Sequence, residues 1–163
     1  MKLAFRFELA ANREQRVLLA RSAGCSRFVY NWGLAQSRRS YELTGKRPRF
    51  DELKARLVDL KAEYPWLYEV SAHISQSALK DLNTAYDRFF KGLRHAGPST
   101  GFPRFKRKGE RDSARFYEIT LEEHHIRLPK IGRVRLKETR SKRGSEGASF
   151  RPQSRGVPSA LGL

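Results

Sequence analysis

The stretch SAHISQSALKDLNTAYDRFFKGL, residues 71–93, decides the architecture. Ile74, Ala78, Leu82, Ala85, Phe89 and Leu93 recur at three- and four-residue intervals, and Leu79, Tyr86 and Phe90 widen the stripe. A helix carrying such a stripe buries one face against neighbouring helices. The spacing therefore predicts a helix from about Ser71 to Leu93 whose apolar face is the core of a bundle. Upstream, Phe50, Leu53, Leu57 and Leu60 repeat the pattern and predict another helix over Phe50 to Tyr64, followed by a rigid aromatic connection at Pro65-Trp66-Leu67. Gly45 and Pro48 end the helix before it. That region starts at Asn12, which with Gln15 three residues later forms a candidate N-cap. Val17, Leu18 and Leu19 then lead to Ser22-Ala23-Gly24, which reads as a turn, after which Phe28, Val29, Trp32 and Ala35 carry a second helix to about Tyr41 or Thr44.

The flanks read as β-structure. Leu3, Phe5, Phe7 and Leu9 alternate with polar residues from Lys2 to Leu9, the period of a half-buried strand. Tyr117, Ile119 and Leu121 alternate in the same way, and Ile126 to Leu128 and Val134 to Leu136 are short strands either side of the turn Pro129-Lys130-Ile131-Gly132. Between bundle and strands, Gly97-Pro98 and Gly101-Phe102-Pro103 block helix in a cation-rich linker. The expected fold class is α+β, mainly α: a helical bundle with a first strand before it and a small β-meander after it. The expected division is a first strand at 1–10, helices at 11–95, the basic linker at 96–115, strands at 116–138, and a disordered tail at 139–163 that is rich in Ser, Gly, Arg and Pro.

Charge narrows the partner. The 163 residues hold 34 Lys and Arg against 17 Asp and Glu, a formal charge of +17 that points to a polyanion. Hydrophobic content of 39% is enough for a core. No apolar run approaches the length of a membrane span, and the acidic and polar residues of MKLAFRFELAANREQ do not suit a secretory signal, so an intracellular protein is expected. Nucleic acid is thus preferred over an anionic membrane. Gly101-Phe-Pro-Arg-Phe-Lys-Arg-Lys108 interleaves aromatics with cations, so phosphate contact and base stacking could come from one segment. Its two phenylalanines are equally suited to docking the segment on the bundle, and both roles can hold together.

Other motifs carry little chemistry. The single cysteine, Cys25, excludes an internal disulfide and a Cys-rich zinc site. His124 and His125 are adjacent on a predicted strand, and adjacent strand residues point to opposite faces, which does not suit a metal pair. Glu122-Glu123 reads as a solvated strand end rather than a catalytic pair, and no Gly-rich phosphate loop or nucleophile elbow is present. No cofactor or catalytic residue is expected.

The order of features has a family resemblance. The N-terminal strand, Cys25-Ser-Arg-Phe-Val-Tyr-Asn31, Tyr64-Pro-Trp-Leu67, Gln76 with Ala78-Leu79-Lys80-Asp-Leu82, Phe89-Phe90, Gly101-Phe-Pro-Arg-Phe105 and Leu128-Pro-Lys-Ile-Gly132 together resemble the N-terminal half of the TnpB/OrfB proteins of bacterial and archaeal insertion sequences. The resemblance runs from about residue 2 to 138. It implies a small, incomplete, barrel-like wedge domain of strands, a helical recognition domain with a helix-turn-helix-like start inserted into it, and, beyond this region, a RuvC-type nuclease half. Full-length members are RNA-guided DNA endonucleases related to type V CRISPR effectors.

The resemblance places the surface of Phe50, Lys54 and Gln76 near a short DNA motif beside the transposon. It places the run Arg104, Lys106, Arg107, Lys108 and Arg111 near a nucleic-acid backbone, of guide RNA or heteroduplex. The implied partners are DNA and a transposon-derived guide RNA, with a separately encoded RuvC-type half as a further one, and the implied setting is the prokaryotic cytoplasm at the nucleoid. RuvC chemistry needs carboxylates holding two metal ions, which the family supplies beyond this region. The chain alone is thus expected to bind nucleic acid without cutting it. The rival expectations are one subunit of a split endonuclease, a nuclease-dead regulator, and an unstable remnant whose wedge leaves Ile126 and Leu136 exposed.

Overall fold

The computed structural model describes residues 6–94, 101–137 and 148–150. The elements run β1 (Leu9–Ala10), α1 (Arg13–Thr44), α2 (Phe50–Glu63), a 3-10 turn (Pro65–Tyr68), α3 (Ala72–Arg94), then β2 (Ala114–Phe116), β3 (Thr120–Leu121), β4 (His125–Leu128), β5 (Gly132–Leu136) and β6 (Ala148–Phe150). The α+β, mainly α, class is as expected. Three long helices and a small antiparallel sheet of order β1-β5-β4-β3, which does not close, make up most of it.

The expected N-cap is present. Asn12 Oδ1 accepts the Gln15 N–H at 2.8 Å, and Gln15 Oε1 accepts the Asn12 N–H at 3.1 Å, so two of the helix's orphan donors are satisfied reciprocally. The turn expected at Ser22-Ala23-Gly24 is absent: α1 runs unbroken for 32 residues. A glycine inside a helix costs only about 1 kcal/mol. Here Ser22 Oγ donates back to the Leu18 carbonyl, and Ala23, Cys25 and Ser26 are buried, so tertiary packing outweighs the local weakness. Helix α1 ends instead where Gly45 takes the left-handed conformation at φ 67° and donates its N–H to the Tyr41 carbonyl.

Helices α1 and α3 are the most extensively packed pair. Gly33 lets them approach: a Cβ there would lie 2.8 Å from Leu79 Cδ2 and 3.0 Å from Leu82 Cδ2, both in fully buried side chains. Gly24, by contrast, would place a Cβ 3.9 Å from the Arg27 guanidinium, in ordinary contact. Two substitutions of one kind should therefore differ in sign. Gly24→Ala is expected to raise stability by about 0.5–1 kcal/mol through helix propensity. Gly33→Ala is expected to lower it by about 1 kcal/mol, because overpacking outweighs the same gain. Urea unfolding of the two variants checks this.

The α3 stripe is core only for part of its length. Ile74, Ala78, Leu79, Leu82 and Tyr86 are buried as expected, but Phe90 is exposed and Leu93 is 64% exposed. Past Tyr86, α3 has outrun the covering length of α2, whose buried face is Leu53, Leu57 and Leu60. Ser75 Oγ is buried on α3 without a hydrogen-bond partner among the described residues.

The strand expected through Tyr117, Ile119 and Leu121 is split. Glu118 adopts φ 56°, which breaks the extended backbone and puts β2 and β3 in different sheets. Strand β2 starts inside the expected linker and packs on α3 and α1, with Phe116 1% exposed. It pairs with β6, so the tail expected to be disordered contributes a strand at 148–150; the rest of 139–163 lies outside the described residues. Strand β1 spans two residues where eight were expected, and residues 1–5 lie outside the description.

Ile126 and Leu136, which the rival expectation of an unstable remnant leaves exposed, are 7% and 5% exposed and belong to the core. Leu136 lies opposite Leu9 across β1 and β5, and Ile126 opposite Val134 across β4 and β5, so the open sheet still buries one face. The β4–β5 connection is the expected turn, with Ile131 N–H donating to the Leu128 carbonyl and Lys130 and Gly132 at positive φ.

Candidate nucleic-acid interface

The segment after residue 100 is docked on the bundle at several points. Pro103 is buried, and Phe102 lies edge-on to Tyr86 and Phe89 at centroid distances of 5.5 and 5.2 Å. Asn31 of α1 then matches both backbone groups of Lys106: its Oδ1 accepts the Lys106 N–H at 2.8 Å, and its Nδ2 donates to the Lys106 carbonyl at 2.9 Å. That pairing mimics a strand ladder with a side chain, and fixes the backbone of an otherwise irregular segment.

A second clamp follows. Asp112 accepts the Gly109 N–H at 2.9 Å and pairs with Arg27 of α1 at 2.6 Å, closing the turn in which Gly109 and Arg111 take φ 83° and 52°. Arg115 pairs with Asp81 of α3 at 3.2 Å. The backbone is thus tied to α1 twice and to α3 once between residues 106 and 115.

Burial pushes the Asp112 carboxyl up, but the Gly109 N–H and the Arg27 guanidinium together more than offset it and hold it below the usual value of 3.8. A depressed folded-state pKa contributes stability above the unfolded value that is lost as pH falls through the folded one. Asp112→Asn should therefore destabilise the protein at neutral pH, and the gap from the parent should shrink as pH drops below 3.8. Thermal unfolding of both proteins at neutral and acid pH measures it; a gap that does not change with pH would remove the ion pair from the account.

With the backbone fixed, the cations point outward. Arg104, Arg107, Lys108 and Arg111 are exposed, and among the described residues none of them forms an ion pair with a carboxylate. Lys106 differs from its neighbours. Its ammonium sits over the Tyr30 ring at 4.2 Å, and burial holds it below the usual lysine value.

The three residues singled out for DNA recognition lie on two helices. Phe50 opens α2 and is partly buried against the core, Lys54 is exposed one turn later, and Gln76 is half-buried near the start of α3. Arg47, just before α2, lies over the Tyr86 ring at 4.5 Å and 4.0 Å from Asp87. The start of α2 therefore faces the C-terminal half of α3, and Gln76 lies ten residues, about 15 Å of helix rise, back toward its N-terminus. Sequence reasoning missed the pairings of Asn31, Arg27 and Asp112. Each makes its contact some 75–85 residues away, a distance over which no local pattern operates.

Cys25 is buried in α1, and burial, with the Glu69 charge behind it, pushes its thiol up to about 11, leaving it protonated at neutral pH. Among the described residues no group of three or more His, Cys, Asp or Glu is placed to hold a metal ion, and no helix is long and apolar enough to cross a membrane.

Comparison with known proteins gives three findings. Residues 1–46 match the helix-turn-helix domain family of the OrfB_IS605 type. The chain is 33% identical over 146 residues to an Escherichia coli (strain K12) protein named "Putative RNA-guided DNA endonuclease InsQ", covering 86% of this chain and 35% of that one. It is 34% identical over 119 residues to a Streptomyces pristinaespiralis protein given the same kind of name, covering 71% of this chain and 28% of that one. The chain spans about a third of the length of the curated relatives it matches.

Proposed function

We propose, from the premise that this chain is homologous to the TnpB-like proteins and carries their OrfB-type helix-turn-helix domain, that it is a nucleic-acid-binding part of a transposon-encoded protein of that kind. The observation that carries the reading is the docked basic segment. An irregular stretch held by Asn31, Asp112 and Asp81 presents to solvent four cations that have no carboxylate partner among the described residues, and so binds phosphates without first paying the entropy of ordering itself.

In this reading Arg104, Arg107, Lys108 and Arg111 contact the sugar-phosphate backbone of DNA or of a transposon-derived guide RNA. Lys106 serves mainly to seat the segment through Tyr30. Lys54 and Gln76 face the DNA motif, Gln76 having the paired donor and acceptor that suit adenine, while the Phe50 ring sets the start of α2. The helices act as the recognition unit and the strands as its wedge. Binding without cleavage is the activity proposed for the chain by itself.

Homology to proteins named as RNA-guided endonucleases supports DNA and RNA as the two partners. A binding and cleavage assay tests the reading: purified chain, transposon-end RNA, a matching DNA duplex and magnesium. The expected result is a retarded complex with both DNA strands intact. RNA-dependent double-strand cleavage would overturn the non-cutting part, and the absence of any complex would overturn the binding part.

A further inference from the structure

Four exposed aromatic side chains lie around one end of the bundle, where burial would be expected. Phe102 and Phe105 are 42% and 47% exposed, Phe90 is also exposed, and Tyr41 is 64% exposed. Ser37 of α1 lies against Tyr86 of α3, so Tyr41 and Phe90, each one turn further on, project from the same end. The Arg38 guanidinium, from α1, lies over both linker rings, 5.4 Å from the Phe102 centroid and 4.9 Å from that of Phe105.

This arrangement is held at several points. Phe102 is held edge-on by Tyr86 and Phe89, Pro103 is buried beneath the segment, and the Asn31–Lys106 pairing fixes the backbone just past Phe105. The quoted exposures are those that remain with Arg38 already in place, so each ring keeps open surface. Planar π-surfaces next to unpaired cations suit a flat, uncharged ring linked to a phosphate. A nucleobase in an unpaired strand has that chemistry; a base pair within a duplex hides its faces in the stack.

We infer that Arg38, Phe102 and Phe105 form a stacking platform for unpaired nucleobases of a single-stranded nucleic acid, whose phosphates run over Arg104 and Arg107. The inference rests on the nucleic-acid reading above and adds to it the class of strand and the residues that meet the base. Arg38 is the contribution of the fold: nothing in its sequence neighbourhood pairs it with two phenylalanines more than sixty residues away. Stacking on a π-face tolerates any base, so the platform distinguishes strand state rather than sequence.

The test uses the full chain with labelled oligothymidylate, oligouridylate and a hairpin duplex at one salt concentration. Phe105 is the residue to vary, because its exposure leaves the core untouched. Phe105→Ala is expected to weaken binding of single strands about 10-fold, from the loss of one stacking contact, while duplex affinity stays within about 2-fold. Phe105→Leu should behave like Ala, and Phe105→Trp should restore binding and show quenched fluorescence from the new indole on addition of the single strand.

A stronger effect on oligouridylate than on oligothymidylate, or the reverse, identifies the strand and supports the platform either way. Equal losses on single strand and duplex, full binding by the Leu variant, or no loss in any variant would overturn it. If the parent chain binds none of the three probes, the nucleic-acid reading fails first and the platform with it; binding by the parent with unaltered Phe105 variants fails the platform alone.

Discussion

Replacing Arg104, Arg107, Lys108 and Arg111 together by Gln is expected to weaken nucleic-acid binding about 10²- to 10³-fold at moderate salt. The four side chains are exposed and without carboxylate partners among the described residues, so their removal disturbs no internal ion pair. Each phosphate contact releases condensed counterions, and the logarithm of the binding constant falls with the logarithm of salt by about 0.9 per contact on duplex DNA. Four lost contacts should therefore flatten that slope by about 3 to 4 as well as lowering affinity. Stability should be almost unchanged, since surface substitutions away from caps and pairs are worth less than about 0.5 kcal/mol. A titration across a salt series with parent and variant checks both numbers. A drop in affinity at constant slope would mean that the cations act through something other than phosphate.

Phe116→Ala is the substitution expected to cost most stability. Phe116 is the largest of the fully buried side chains and sits on β2, the strand that packs on α3 and α1. Truncating a buried phenylalanine removes its transfer free energy and leaves a cavity, together about 3–5 kcal/mol. For a chain of this size that lowers the melting temperature by about 10 °C. Leu93→Ala, at a position that is 64% exposed, is expected to change stability by less than about 0.5 kcal/mol, although both residues look alike in an apolar periodicity. Calorimetry of the pair separates a β-segment packed into the helical core from one merely tethered to it.

What the sequence made legible was whatever depended on neighbours in the chain. The Asn12–Gln15 cap, the Gly45 stop, the α2 face of Leu53, Leu57 and Leu60, and the β4–β5 turn all follow from residues within a few positions of one another. What misled it depended on distant packing. Ser22-Ala23-Gly24 reads as a turn because serine and glycine are weak helix formers, yet Ser22 and Ala23 are buried in α1 and tertiary packing carries the helix through. Phe90 and Leu93 read as core because they keep the period, whereas only the length of the covering helix decides where a stripe stops being buried.

The site divides in the same way. The cations and phenylalanines of 101–108 were visible as composition, and their combined reading as phosphate contact plus docking was available from residue type alone. Their arrangement was not. Asn31, Arg27, Arg38 and Asp112 decide which of those side chains turn inward, as Lys106 does onto Tyr30, and which stay free.

The central claim, that this chain binds nucleic acid through a pre-ordered set of phosphate contacts, is tested most directly by the salt dependence of binding of the parent chain to a DNA duplex. The expected result is a straight decline of log affinity against log salt with a slope of about −3.6, the value for four contacts, or steeper. A slope near zero, or no binding at low salt, would contradict it.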